Sequence, residues 1–271
     1  MNQLISLYNG VEIPRLGFGT FKLTEGEEAV NAVRVALDAG YRHFDCAAIY
    51  KNEVSVGKAI AESGIPREEL FITSKVWNSD QGYETTLQAF EATLERLGME
   101  YLDLYLIHWP KALNRETWRA LEALYKEKRV RAIGVSNFKV HHIEDLMEVA
   151  TIKPMINQVE LHPRLVQEDL IHYCEANEIC VEAWGPLMQG HIFKEEVMIT
   201  LAKKYNRSIS QIALRWHLQL GVVTIPKSAN PERIKENFDI FDFQLSDEDM
   251  QAIEAMNSEE RVGPDPDHIT F

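Results

Sequence analysis

Eight strand-like segments alternate with amphipathic helical stretches along this chain, and that count constrains the fold more than any other feature. The segments are residues 15–19, 41–45, 70–76, 101–108, 130–136, 156–160, 179–183 and 222–226. Between them, apolar side chains step by three and four. Tyr83, Leu87, Phe90, Leu94 and Leu97 share one helix face, and Trp118, Leu121, Leu124 and Tyr125 another. Such alternation builds parallel sheets, and eight strands is the number that closes a barrel. The competing α/β architecture is a doubly wound sheet, whose G-x-G-x-x-G fingerprint is absent. Gly17-Phe18-Gly19 is followed by Thr20, with no third glycine at the required spacing. The expected fold is a (β/α)8 TIM barrel.

Ahead of the first segment, two short apolar runs flank Asn9-Gly10, a dipeptide suited to a type I′ turn, so a β-hairpin should precede the barrel. Thr24 with Glu27 reads as a capping box opening the first helix, and Ser208 with Gln211 as another late in the chain. No Pro- or Ser-rich linker interrupts residues 1–271, which are expected to form one domain.

The chain has 42 acidic residues against 28 Lys and Arg, a formal net charge of −14. Such a surface repels nucleic acid and anionic lipid, so neither is an expected partner. An anionic ligand would need a local basic pocket. High net charge and sparse apolar surface signals point to a monomer. The N-terminal residues lack a basic region followed by an apolar run, and no apolar stretch is long enough to span a bilayer. Cys46, Cys174 and Cys180 form no C-x-x-C pair. The location expected is cytoplasmic, with reduced thiols.

Asp45, Lys75 and His108 each close a strand segment, and Tyr50 lies just beyond the second. In a barrel, C-terminal strand ends share one face, where catalysis sits. A tyrosine acid needs a nearby cation, a buried lysine needs a carboxylate, and a carbonyl under reduction needs a donor for its oxygen. Taken singly, these residues read as an ion pair, a packed aromatic and a core histidine. Together they form a proton-delivery set.

Longer motifs carry a resemblance. Gly40-Tyr41-Arg42-His43-Phe44-Asp45, Ala47-Ala48-Ile49-Tyr50-Lys51-Asn52-Glu53, Gly134-Val135-Ser136-Asn137-Phe138, Asn157-Gln158-Val159-Glu160-Leu161-His162-Pro163 and Ile225-Pro226-Lys227-Ser228 occur in order along the chain. This pattern resembles the aldo-keto reductases, and within them the short bacterial members that reduce 2,5-diketogluconate, glyoxal or methylglyoxal. The Ala183-Trp184-Gly185-Pro186-Leu187 stretch and the tail from Arg261 to Asp267 are similar to that group.

The resemblance implies an NADPH-dependent reductase of small aldehydes and ketones, with Asp45, Tyr50, Lys75 and His108 as tetrad and Tyr50 as general acid. It implies that Ser136, Asn137 and Gln158 hold the nicotinamide carboxamide and that Trp184 stacks on the ring. Gly19 and Thr20 would lie on the nicotinamide side, and Leu187 and Gln189 near the pyrophosphate. Lys227, Ser228 and Arg233 would form the basic cluster for a 2′-phosphate, with Glu236 and Asn237 near the adenine. Phe21, Trp77 and Trp109 follow strand ends and should wall the substrate pocket beside His108.

Two alternatives are a Schiff-base enzyme using Lys75 and a barrel that binds NADPH as a redox-sensing subunit. The tail after Asn257 is short, as is the connection from Pro110 to Glu116, so an open pocket is expected. Cys46 directly follows the tetrad aspartate, where a rim thiol would confer sensitivity to oxidation. His141 and His142 have no carboxylate or cysteine at metal-ligand spacing in the sequence, so no metal is assigned.

Overall fold

A computed structural model describes residues 3–271. A two-stranded hairpin, β1 (Leu4–Ser6) and β2 (Glu12–Pro14), is followed by β3 (Phe18–Gly19), α1 (Glu27–Ala39), β4 (His43–Asp45) and α2 (Glu53–Glu62). Next come β5 (Phe71–Val76), α3 (Tyr83–Leu97), β6 (Leu102–Ile107), α4 (Asn114–Lys126), β7 (Val130–Ser136) and α5 (Val140–Met147). The remainder is β8 (Ile156–Glu160), α6 (Glu168–Ala176), β9 (Cys180–Trp184), α7 (Glu196–Tyr205), α8 (Ile209–Gln219), β10 (Val223–Thr224), α9 (Pro231–Phe238) and α10 (Asp247–Glu254).

Strands β3 to β10 pair in parallel in sequence order. The edges meet through a parallel bridge between Leu16 and Thr224, with Gly17 N donating to Thr224 O and Gly19 N to Pro226 O. The expected (β/α)8 barrel is the fold found. Each strand forms where the alternation placed one, although β3 and β10 contract to two residues apiece.

The hairpin packs against the N-terminal ends of the strands: Asn9 Nδ2 donates to Arg131 O at the start of β7, and Tyr8 Oη to Lys153 O ahead of β8. Its turn differs from the type I′ expectation. Gly10 N closes onto Leu7 O, and Gly10 has φ 85° while Asn9 does not take positive φ. Two positive φ values are what a type I′ turn requires. The first helix also starts differently. Gly26 is its N-cap, and Thr24 contributes only a backbone carbonyl to Ala29 N. The Ser208–Gln211 box forms as expected, at 3.2 and 3.0 Å.

On α3, Phe90, Leu94 and Leu97 are buried, while Tyr83 at the first turn is exposed. Trp118, Leu121 and Leu124 of α4 pack in the core. Inside the barrel, the two-residue period of a strand sends alternate side chains inward. His43 and Asp45 of β4, Thr73 and Lys75 of β5, Gln158 of β8, Glu182 of β9 and Thr224 of β10 are all buried polar groups. A barrel interior this polar requires internal pairing, and it is found toward the C-terminal ends of the strands.

Candidate active site

Lys75, at the C-terminal end of β5, is fully buried, so its ammonium depends on its partners. It donates to Asp45 Oδ1 at 2.6 Å, Asp45 Oδ2 at 2.8 Å and Cys46 O at 2.9 Å. Its remaining reach is to Tyr50 Oη, 3.3 Å away. Burial disfavours the ammonium, but Asp45, and after it Tyr50, outweigh that cost and hold Lys75 above its ordinary value. A lysine held charged by this ion pair is a poor nucleophile, which counts against the Schiff-base alternative.

Tyr50 ends a 3₁₀ turn (Ala48–Tyr50) and keeps an edge open to solvent. Burial pushes its hydroxyl up to about 12, with Lys75 pulling the other way. It is therefore protonated at neutral pH. The ring of His108 stands edge-on to that of Tyr50, centroids 5.7 Å apart. Burial, then the Lys75 charge, hold His108 well below the ordinary imidazole range. A neutral His108 can donate one N–H toward a carbonyl oxygen.

The other groups singled out in the sequence mostly converge on the same mouth. Phe21 is 52% exposed and tilts over Tyr50 at 5.0 Å, and Trp77 meets His108 edge-on at 5.1 Å. Trp109 stacks near His108 at 6.4 Å. Asn137 takes positive φ (64°) and ties two of these groups together. Its Nδ2 donates to His108 O at 2.9 Å, and its Oδ1 accepts from Trp184 Nε1 at 2.8 Å. Ser136 Oγ donates to Gln158 O at 2.9 Å. Gln158 donates to Asp45 Oδ2, also at 2.7 Å, and spends its second amide hydrogen on Glu182. Thr20 is buried, its hydroxyl given to Asp45 O at 2.8 Å, so it braces the aspartate strand.

Gly19 lies in the β3–β10 seam, where a Cβ would sit 3.7 Å from that of Lys227. Lys227 and Ser228 lead into the start of α9, which Asn230 caps by accepting from Glu232 N and Arg233 N. Arg233 and Glu236 are exposed on that helix. Asn237 is buried, and its Oδ1 has no donor. Leu187 is partly buried, and Gln189 is exposed at φ 51° with its Nε2 donating to Val262 O.

Three expectations need correction. The pocket is not left open by a short tail: Phe271 stacks on Trp77 (5.7 Å, 7°) and meets Trp109 edge-on (5.4 Å). Asn78 Nδ2 also donates to Phe271 O at 3.2 Å. The tail crosses Trp184 on the way, and at Gly263 a Cβ would overlap the indole ring. Cys46 is no rim thiol. It is wholly buried, and burial holds it as the thiol.

Finally, a carboxylate does join His141 and His142. Asp267 of the tail lies 3.0 and 3.3 Å from their Nε2 atoms. His142 Nδ1 accepts from Lys139 N at 3.1 Å, so its Nε2 carries the proton and faces Asp267 as a donor. With Lys139 Nζ 2.6 Å from both Asp265 and Asp267, the cluster is a clamp on the tail.

Comparison with known proteins agrees with this geometry. The Aldo/keto reductase family profile matches residues 15–199 and 195–258. The glyoxal reductase of Bacillus subtilis strain 168 is 60% identical over 272 residues, covering 100% of this chain and 99% of the relative. An aldo-keto reductase from a Medee basin deep-sea metagenome library superposes with a TM-score of 0.97 at 49% identity, covering 98% of this chain and 100% of its own. A Bombyx mori aldo-keto reductase solved in complex with NADP gives 0.92 at 37% identity, with 97% and 95% covered. The chain belongs to the aldo/keto reductase family. Among the described residues, no helix is long and apolar enough to cross a membrane.

Proposed function

We propose that this chain reduces small aldehydes and ketones, dicarbonyls such as glyoxal foremost, to alcohols using NADPH, with Tyr50 as general acid. The observation that carries this reading is the Asp45–Lys75–Tyr50 chain at the base of an aromatic pocket. The likeness to a glyoxal reductase and to a reductase crystallised with NADP supports the substrate class and cofactor.

The cofactor supplies the hydride, and the protein supplies binding, orientation and the proton. His108 and Tyr50 hydrogen-bond the substrate oxygen and place its carbon for attack. As charge builds on that oxygen, Tyr50 Oη releases its proton to it. Lys75 stabilises the tyrosinate left behind, and Asp45 keeps Lys75 charged and aimed. Phe21, Trp77, Trp109 and Phe271 exclude water from the reacting atoms.

The residues present fit a phosphorylated dinucleotide. Lys227, Ser228 and Arg233 gather cation and hydroxyl donors at the start of α9, as a 2′-phosphate requires. The orphaned Oδ1 of Asn237 suits a nucleobase amine. Ser136, Asn137 and Gln158 would hold the nicotinamide carboxamide, and Trp184 would stack on the ring. The test is consumption of NADPH and of NADH with glyoxal, methylglyoxal and an aromatic aldehyde, using wild type and Arg233→Ala. Turnover favouring NADPH, with the preference reduced in the variant, is expected. Cofactor binding with no turnover of any carbonyl would favour the redox-sensing subunit.

A further inference from the structure

Beneath the tetrad lies a second carboxyl group that the mechanism above leaves unused. Glu182 sits mid-strand in β9 with its side chain wholly buried. Its Oε2 accepts from Gln158 Nε2 at 2.7 Å, the same nitrogen that donates to Asp45 Oδ2. One amide thus spans two carboxyl groups. Glu182 Oε1 lies 3.4 Å from His43 Nε2 and has no hydrogen-bond partner. His43 is packed against Gly17, where a Cβ would collide with the imidazole.

The groups around Glu182 decide its charge. β4 offers His43 and Asp45, β5 offers Lys75 and, beside His43, the Thr73 hydroxyl, β8 offers Gln158 and β10 only the apolar Val223; Cys180 precedes it on its own strand. Lys75 is the one full positive charge of this set, and Asp45 already occupies it at 2.6 and 2.8 Å. Burial takes His43 down to about 3, so it is neutral. Two carboxylates sharing one ammonium inside a sealed barrel is a costly state. Burial first, then the Asp45 charge, push Glu182 up to about 8. With Oε2 taking the Gln158 hydrogen, a proton on Glu182 would sit on Oε1, toward the His43 Nε2 that Thr73 Oγ1 also meets at 3.3 Å.

We propose that Glu182 is a positioning residue for the tetrad: as a neutral acid it fixes the Gln158 amide against Asp45 and leaves Lys75 paired with Asp45 alone. This rests on the reductase reading above. When Glu182 ionises, a second negative charge enters the cluster and competes for Lys75. Proton release from Tyr50 then becomes harder, and turnover falls on the alkaline side.

The test is the pH dependence of kcat and kcat/KM, from about pH 6 to 10, for wild type, Glu182→Gln and Glu182→Ala, with Tyr50→Phe as control. Glutamine keeps the acceptor for Gln158 and cannot ionise. Glu182→Gln should stay within about 3-fold of wild-type kcat at neutral pH, with its alkaline limb moved up by about one pH unit or more. Glu182→Ala should lose about 10-fold in kcat at every pH, since Gln158 loses its anchor. Superimposable wild-type and Glu182→Gln profiles, with Tyr50→Phe inactive, would overturn the proposal. Tyr50→Phe as active as wild type would sink the reading on which it rests, and the proposal with it. Should Glu182→Gln fail to fold, infrared difference spectra of wild type decide the matter. A protonated-carboxyl band lost in step with kcat is expected, and its absence at neutral pH overturns the proposal.

Discussion

The ring of Phe271 lies parallel to that of Trp77, with 7° between the planes and 5.7 Å between centroids. Phe271 thereby becomes a wall of the pocket that the third barrel strand opens. An aromatic pair adds about 0.5–1.5 kcal/mol beyond the area it buries. Phe271→Ala should therefore raise KM for small aldehydes by roughly 2- to 12-fold, with kcat nearly unchanged. Steady-state kinetics with glyoxal and an aromatic aldehyde check this. An equal fall in kcat would mean instead that Phe271 acts on the transition state.

The tail reaches that position under the grip of Lys139, 2.6 Å from both Asp265 and Asp267. These pairs are partly exposed, so they guide the tail more than they stabilise the fold. Asp265→Asn combined with Asp267→Asn should speed hydrogen exchange of the tail amides and raise KM as Phe271→Ala does. Unfolding free energy should change by about 1 kcal/mol or less. Exchange unchanged from wild type would show that the aromatic contacts hold the tail alone.

Asp45 and Lys75 should respond asymmetrically to deletion. Asp45→Ala leaves a buried ammonium without its carboxylate, at a cost of about 3–5 kcal/mol in stability. Lys75→Met strands the Asp45 carboxylate in turn, but Gln158 Nε2 still donates to it and it can take up a proton, so this variant should fold better than Asp45→Ala despite losing at least about 10²-fold in kcat. Denaturant unfolding beside kcat separates the two effects. A Lys75→Met variant less stable than Asp45→Ala would contradict the charge accounting.

Stability should peak near neutral pH. Burial lowers His43 from 6.5 to about 3 and His217 from 6.5 to about 4. Between those values the unfolded chain binds protons that the fold refuses, so their stability is present above 6.5 and is lost as pH falls through the window. Glu182, raised from 4.5 to about 8, works in the opposite direction: its contribution is present below 4.5 and is lost as pH rises through 8. His108 and His142 are held low in the same way, so four histidines against two glutamates raised by burial, Glu182 and Glu53, leave a net rise with pH between 4.5 and 6.5. Calorimetric Tm against pH should show this rise. Glu182→Gln should flatten the fall above 6.5 and steepen the rise between 4.5 and 6.5.

What could be read from the chain was whatever depends on local pattern. Strand period, helix stride and short motifs set Asp45, Lys75 and His108 at successive strand ends, because a barrel converts strand order into a shared face. Local end chemistry was less legible. Gly26 displaced Thr24 as the first cap, and Asn9-Gly10 made a turn with one positive φ. Contacts between distant segments were not legible at all. Nothing near Phe271 points to Trp77, and nothing near Asp267 points to His141. Glu182 had a signal that passed unused: a carboxylate in the otherwise apolar Cys180-Val181-Glu182-Ala183 run is one that a barrel strand must bury.

The account turns on Tyr50 giving up its proton with Lys75 and Asp45 behind it. The most direct measurement is single-turnover NADPH oxidation with glyoxal by wild type and Tyr50→Phe, alongside NADPH binding followed by fluorescence. A loss of about 10²- to 10⁴-fold in the variant, with cofactor affinity unchanged, is the predicted result. Equal rates in the two proteins would contradict it and remove Tyr50 from the mechanism.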